Sequence, residues 1–260
     1  MSAFLDDTAV RPTGEHRYTA SVTTRWNVGS TPNGGYIVAL ALRAMGAAVS
    51  HPDPLTVTAH FLTRTRPGSA ELDVEVLRTG RGVSSLSARL VSAGAETTRF
   101  LAAFGNLASM QGPTRRGVDP PDIPRPHELP GRLSGPDGFE IGKRFEYRFP
   151  ADFRPGMPAD RAVVTGWVRF ADGGPITPEA AALMTDAFPP PVLAWYPAGW
   201  VPTIELTIHM RRRPATEWLL GRFETRHLVD GYLEEDGELW DDSGRLVALS
   251  RQLARVHERR

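Results

Sequence analysis

The residue types that this chain of 260 residues lacks are the first guide to its chemistry. It contains no cysteine, which excludes thiolate nucleophiles, disulfide bonds, iron–sulfur clusters and cysteine-based zinc sites. Its only lysine is Lys143, so Schiff-base chemistry would depend on that one side chain. The histidines lack metal-ligand spacing, and neither a Gly-x-Ser-x-Gly motif nor a dinucleotide-binding glycine motif occurs. The sequence therefore implies neither a metal nor a cofactor.

One acidic side chain lies in an otherwise apolar segment. Residues 178–188 are rich in alanine, leucine and methionine, and they include Asp186. Thr177 is a suitable N-cap and Pro178 suits the first helical position, so the segment is predicted to be a helix. If a sheet buries this helix, desolvation disfavours the charged form of Asp186 and raises its pKa towards that of a useful general base.

A second apolar helix, Tyr36–Ala48, is predicted to follow a glycine-rich turn in the same way. Strand-like segments with similar order accompany each helix. In the first half they are Tyr18–Trp26, Leu55–Thr65, Ala70–Gly80, Ser84–Ser92 and Thr97–Asn106. In the second half they are Val163–Ala171, Pro202–Arg212, Trp218–Leu228, Gly231–Asp241 and Arg245–Val256. This order predicts an α+β repeat in which a curved antiparallel sheet wraps around each helix. Only the second helix carries a carboxylate, which predicts one active site per chain.

A proline-rich segment separates the two halves. Seven prolines lie between Gly112 and Gly138, where apolar periodicity is nearly absent. Proline removes a backbone donor and fixes φ, so such a segment extends neither a helix nor a central strand. We interpret residues 1–110 as an N-terminal unit, 111–140 as a linker and 141–260 as a C-terminal unit.

Three strings in this order resemble the type II acyl-CoA thioesterases (TesB-like), whose fold is a double hot dog. The first string is Pro32-Asn33-Gly34-Gly35-Tyr36 at the first helix. The second combines His60, Arg66-Pro67-Gly68 and residues 74–81. The third runs from Thr203-Ile204 through Glu217-Trp218-Leu219-Leu220 and residues 242–248 to Gln252. The resemblance extends over nearly the whole chain apart from the proline-rich segment.

The resemblance implies an enzyme and assigns its catalytic residues. They are Asp186, Thr203 and Gln252. We expect substrate contacts from four further residues: Asn33, Gly34, Gly35 and His60. None of the three catalytic side chains is a strong nucleophile, so we expect water to attack the thioester directly, with Asp186 accepting its proton. Backbone N–H groups at Gly34 and Gly35 are candidates for holding the oxyanion, because unpaired donors gather at a helix N-terminus.

The predicted function is hydrolysis of a fatty or related acyl-CoA to a free acid and coenzyme A. One alternative is an acyl-CoA or acyl-chain binding protein, or a scaffold, that has lost turnover. A hot dog hydratase or dehydratase is the other alternative. The sequence disfavours the latter, because that chemistry normally uses an Asp and His pair and no histidine follows Asp186 closely.

Composition and charge bear on partners and location. Thirty Lys and Arg balance thirty Asp and Glu, so we expect no binding to nucleic acid or to an anionic membrane. The longest apolar stretch, Tyr36–Val49, is interrupted by Arg43 and is shorter than the roughly 20 residues of a membrane span. The first residues do not resemble a signal peptide, which predicts a cytoplasmic protein. The resemblance to acyl-CoA thioesterases implies a role in lipid metabolism. Exposed sheet edges predict a homo-oligomer built on a dimer.

Overall fold

A computed structural model describes residues 2–130 and 139–258. In the N-terminal half it has α1 (Ala3–Asp7), β1 (Val10–Gly14), β2 (Arg17–Val22), β3 (Asn27–Val28), β4 (Thr31–Pro32), α2 (Gly34–Ala47), β5 (Asp53–Phe61), β6 (Gly68–Thr79), β7 (Ser84–Ser92) and β8 (Ala95–Gly105). In the C-terminal half it has β9 (Phe145–Arg148), β10 (Ala162–Phe170), α3 (Pro178–Met184), β11 (Thr203–Met210), β12 (Leu219–Thr225), β13 (Leu228–Val229), β14 (Tyr232–Asp241) and β15 (Leu246–Arg255). The predicted strands all occur, with bounds that differ by a few residues.

One antiparallel sheet runs through both halves. Its strand order is β1-β2-β6-β7-β8-β5-β11-β15-β14-β12-β10-β9, and β13 pairs with β14. The halves meet where β5 pairs with β11, from Glu205 opposite His60 to His209 opposite Thr56. Reading outward from this junction, the strands of each half come in equivalent order. The predicted α+β double hot dog is therefore confirmed, with two fused units that each curve around a helix.

Helix α2 fills the concave side of the N-terminal half. The Asn33 side chain caps it, since Asn33 Oδ1 accepts a hydrogen bond from the Tyr36 N–H at 3.0 Å. Ten of its 14 residues are buried, and Ile37, Leu40 and Leu42 contribute to the main core cluster. Burying each such side chain stabilises the fold by about 1.5–3 kcal/mol, so the helix needs an apolar surface nearly all round.

Helix α3 is shorter than the sequence predicts. It ends at Met184 instead of Phe188, and the Thr185 hydroxyl donates to the Ala182 carbonyl at 2.8 Å. The prolines at 189–191 disfavour helical backbone just before them, which accounts for the early end. Asp186 therefore lies in the turn that follows α3 and not inside the helix.

Aromatic rings fill the C-terminal sheet beyond the end of α3. The Phe188 ring lies so close to Gly221 that a Cβ there would be 2.6 Å from its Cζ. Phe149 lies against Gly166 in the same way, with a distance of 2.5 Å to the nearest ring carbon. Glycine at these inward positions makes room for the aromatic rings. The rings occupy the place that the helical layer of α2 takes in the other half.

The proline-rich segment packs on the outer face of the C-terminal sheet as far as it is described. The Trp167 indole N–H donates to the Pro124 carbonyl at 2.9 Å. Ile123 and Leu129 pack against a small cluster that contains Trp167 and Trp240. Residues 131–138 of the predicted linker lie outside the described residues. Across the described ranges, the helices are all too short or too polar to span a bilayer.

Candidate active site

The end of α3 docks against the start of α2 through Asp186. Its Oδ2 accepts a hydrogen bond from the Gly35 N–H at 2.8 Å and another from the Asn33 side-chain amide at 2.9 Å. The same amide also donates to the Asp186 backbone carbonyl at 2.7 Å. Asn33 thus caps α2 with its oxygen and holds the turn after α3 with its nitrogen.

Glycine is required on the α2 side of this contact. A Cβ on Gly34 would lie 2.9 Å from Asp186 Oδ2, and a Cβ on Gly35 would lie 2.7 Å from the Leu183 carbonyl oxygen. Both distances are too short, so larger residues would push the helices apart. The backbone donors of Gly34 and Gly35 are also directed at Asp186. In this arrangement they hold the carboxyl and do not stand free for an oxyanion.

The electrostatics of Asp186 suit a general base. Burial raises the pKa of the Asp186 carboxyl to about 6, although hydrogen bonds from Gly35, Asn33 and Gly34 oppose that rise. The desolvation effect is the largest because the carboxyl lies between two apolar helices. A carboxyl with this pKa is largely ionised at neutral pH, yet it binds a proton more readily than an ordinary aspartate.

Thr203 and Gln252 meet on the inner face of the C-terminal sheet. A register shift between Thr203 and Glu205 bulges β11 at its start. The bulge lets Thr203 share the inner face with Leu206, although the two residues are three positions apart and would face opposite sides of a regular strand. The Thr203 hydroxyl donates to Gln252 Oε1 at 2.5 Å.

A third side chain, Glu235, joins this pair. Gln252 Nε2 donates to Glu235 Oε1 at 2.8 Å, and Glu235 is only 7% exposed. The pKa of Glu235 is raised to about 8, mainly by burial and in smaller part by the charges of Asp186 and Asp236, while the hydrogen bond from Gln252 opposes the rise. The two carboxyls of Asp186 and Glu235 therefore lie close enough to influence each other.

Glu235 is not among the site residues predicted from the sequence, although β14 contains a signal for it. Leu233, Glu235, Gly237 and Leu239 alternate along the strand and are all buried. A glutamate in such an inward-facing series is rare unless it has a partner, because burying a charge is costly.

His60 does not join the cluster. Along β5 the side chains alternate, so Ala59 and Phe61 face the core while His60 is exposed on the outer face. Its neighbours in the sheet are Arg99 and Glu205 on the adjacent strands. We therefore omit His60 from the site. Phe61 takes its place near the cluster, because its ring abuts Gly34.

The arrangement can position a water molecule beside a base and neutral hydrogen-bonding groups. Asp186 can accept a proton, while Thr203 and Gln252 can donate and accept hydrogen bonds. Among residues 2–130 and 139–258, acidic and histidine side chains form no group of three that could hold a metal ion.

Comparison with known proteins identifies the family. The model of the acyl-CoA thioesterase N-terminal domain matches residues 22–105, and that of the acyl-CoA thioesterase C-terminal domain matches residues 118–256. A Thermobifida fusca structure described as a proposed thioesterase II is 31% identical, with a TM-score of 0.91 over 99% of this chain and 98% of its own. An uncharacterized protein of Mycobacterium tuberculosis is 26% identical over 92% of this chain and 90% of its own length.

The fold has a named counterpart as well. A structure from Alicyclobacillus acidocaldarius, described as a conserved protein of unknown function with a hot dog fold, covers all of both chains. Its TM-score is 0.89 at 23% identity, which shows a shared fold. With both domain models matched in one polypeptide, this chain belongs to the acyl-CoA thioesterase family and is a thioester hydrolase.

Proposed function

We propose that the protein hydrolyses a fatty or related acyl-CoA to the free acid and coenzyme A. The observation that carries this proposal is the Asp186 carboxyl, which Gly35 and Asn33 hold by hydrogen bonds and whose pKa burial raises to about 6. The Thr203–Gln252 pair lies on β11 and β15, the strands against which α3 packs. Family membership supplies the thioester as the substrate class. The proposal includes a cytoplasmic acyl-CoA pool as the source of substrate and a dimer-based homo-oligomer as the assembly.

The proposed reaction is a direct attack by water. A water molecule lies between the Asp186 carboxylate and the Thr203–Gln252 pair, and its oxygen attacks the thioester carbonyl carbon. Its proton passes to Asp186, and the Thr203 oxygen accepts a hydrogen bond from its other hydrogen. The tetrahedral intermediate then collapses, the C–S bond breaks, and the sulfur leaves as coenzyme A thiolate. Asp186 returns its proton to this thiolate, which restores the base.

Asp186 is held so that one oxygen stays available for the water. Gly35 and Asn33 both donate to Oδ2, which fixes the plane of the carboxyl. We assign proton transfer to Oδ1. Because the base must be ionised, turnover should rise as the pH increases through about 6, the pKa to which burial raises Asp186.

Substitution of the base tests the proposal. Asp186→Asn preserves shape but cannot accept the proton, so kcat for thiol release from a panel of acyl-CoAs should fall roughly 10²–10⁴-fold. Asp73→Asn is the matched control, because Asp73 pairs with Arg89 on the N-terminal sheet and should leave kcat unchanged.

Two results would contradict the proposal. If Asp186→Asn retained wild-type turnover, the base would lie elsewhere. If the wild-type protein bound acyl-CoAs without releasing thiol from any of them, the binding-protein alternative would replace the thioesterase.

A further inference from the structure

The side-chain amide of Gln252 has two chemically different ends, and each has a partner. Gln252 Oε1 accepts from the Thr203 hydroxyl, and Gln252 Nε2 donates to Glu235 Oε1. Gln252 is 9% exposed and Glu235 is 7% exposed. The pair also lies directly opposite across β14 and β15, where Glu235 is the register partner of Gln252.

These bonds impose a direction on the group. In this arrangement an oxygen of the Glu235 carboxyl accepts the Nε2 hydrogen bond, which places the Oε1 end of Gln252 towards Thr203. Thr203 then donates its only hydroxyl proton to Gln252, so its lone pairs remain for a water hydrogen. The second N–H of the Gln252 amide remains to donate to the water oxygen. If the amide rotated by a half turn, Thr203 would have to accept from Gln252, and both groups would present the wrong polarity to the water.

We propose that Glu235 is a positioning residue that orients the Gln252 amide and, through it, the Thr203 hydroxyl for the attacking water. This inference rests on the proposed thioesterase function and adds a residue to its site. Glu235 acts through Gln252 and need not contact the substrate.

The charge state of Glu235 bears on this role. Two negative charges act on it, that of Asp186 in the turn after α3 and that of Asp236, the next residue on β14. Asp236 forms ion pairs with Arg251 at 2.6 Å and with Arg226 at 3.2 Å. Glu235, in contrast, accepts a hydrogen bond from the neutral amide of Gln252. Burial raises the pKa of Glu235 to about 8, so it is protonated at neutral pH. Above that pH its charge would oppose the negative charge that develops during attack, and turnover should fall.

The kinetic test uses two substitutions at Glu235 and one control. Glu235→Leu removes the acceptor, so we expect kcat to fall roughly 10–100-fold with KM nearly unchanged. Glu235→Gln keeps an acceptor oxygen and should retain most of the kcat at pH 7, yet it should lose the decrease in turnover above pH 8. Glu234→Gln changes the adjacent residue, which bonds the His227 backbone outside the site, and should leave kcat unchanged.

A measurement independent of turnover follows the Gln252 amide itself. In the full-length protein labelled with ¹⁵N, the Nε2 resonances of Gln252 should shift with pH around 8. Glu235→Gln should abolish that titration, and Glu235→Leu should move the resonances at every pH. This spectrum tests the orientation even if the wild-type protein releases no thiol.

The outcomes separate this inference from the proposed function. Folded Glu235→Leu with wild-type kcat, alongside a collapsed Asp186→Asn, would overturn the role of Glu235 and leave the thioesterase standing. A Gln252 amide that does not respond to pH or to either Glu235 variant would also overturn it. A decrease in kcat for Glu235→Leu, together with an active Asp186→Asn, would support the positioning role and place the base elsewhere.

Discussion

Helix α2 of the N-terminal half runs for 14 residues along its sheet, whereas α3 of the C-terminal half ends after seven. The residue that follows the end of α3 and its cap is Asp186, and the space beyond is filled by rings that lie on glycines such as Gly221. The N-terminal helix is continuous and apolar, and it serves the core. The shortened helix places a carboxyl at a break in the apolar layer. One half of the repeat therefore supplies the scaffold, and the other supplies the acid.

The buried acids are of two kinds: those paired with an arginine, which occur in both halves as Asp53 and Asp241 show, and those without such a partner. Asp53 accepts hydrogen bonds from Arg213 at 2.7 Å and from the Leu107 N–H at 2.8 Å. Asp7 is also buried and pairs with Arg25. Within the described ranges, Asp186 and Glu235 form no ion pair with an arginine, lysine or histidine. A buried acid with an arginine partner stabilises the fold, while one that has only neutral donors keeps a raised pKa at some cost in stability.

The largest expected effects come from shortening one core leucine in each helix. Leu40 and Leu183 are both fully buried, so Leu40→Ala and Leu183→Ala should each lower the free energy of unfolding by about 2–5 kcal/mol. Leu183 also carries the carbonyl that accepts the Asp186 N–H at 3.0 Å. Only Leu183→Ala should therefore lower kcat, by roughly tenfold, because a small displacement of the base is costly. Urea denaturation and kcat per folded molecule measure the two effects. Equal kcat values in both variants would contradict the division of labour between the halves.

A smaller effect is expected from the glycines at the two ends of α2. Gly35→Ala places a Cβ 2.7 Å from the Leu183 carbonyl oxygen and should destabilise the protein by about 1–3 kcal/mol while lowering kcat. Gly46→Ala meets only the Phe104 ring, at 3.3 Å, and replaces a helical glycine by a better helix former. It should change stability by less than about 1 kcal/mol and leave kcat intact. If both variants lost activity equally, the contact between α2 and Asp186 would not be the sensitive one.

Some regions of the fold are predictable from the residue order and others are not. Alternating apolar residues and turn signals predicted the strands well, because the burial of one face is recorded locally in the residue order. The end of α3 was predicted four residues too late, since Asp186 and Phe188 continue the composition of the helix although the backbone has turned. The contact of Asn33 with Asp186 spans 153 positions, and no local pattern records it.

The two remaining differences concern which way a side chain faces. The bulge in β11 turns the Thr203 side chain to the inner face of the sheet, and the segment contains no turn or glycine from which this bulge could be predicted. His60 occurs in a string that resembles the family, yet the period of two along β5 places it outside. The resemblance to the family indicates the residue types of the site, whereas strand register determines which of these side chains lie together on the inner face of the sheet.

The smallest expected effect tests the two kinds of buried acid through pH. Because the folded-state pKa of Asp186 is raised from 3.8 to about 6, folding favours its protonated form, and this stabilisation is lost as the pH rises from about 4 to above 6. Between pH 5 and pH 8 the wild type should lose about 1 kcal/mol more stability than Asp186→Asn, which cannot ionise. The melting temperature at both pH values measures this difference.

Asp53→Asn is the comparison for this experiment. It removes one partner of the ion pair with Arg213, so it should lower the melting temperature at both pH values. The two substitutions are chemically the same, yet at pH 8 they should change the melting temperature in opposite directions, upward for Asp186→Asn and downward for Asp53→Asn. If Asp186→Asn lost stability in parallel with Asp53→Asn, the carboxylate at the end of α3 would stabilise the fold as the arginine-paired acids do. In that case, the desolvation cost of a carboxylate without an arginine partner would not distinguish Asp186 from Asp53.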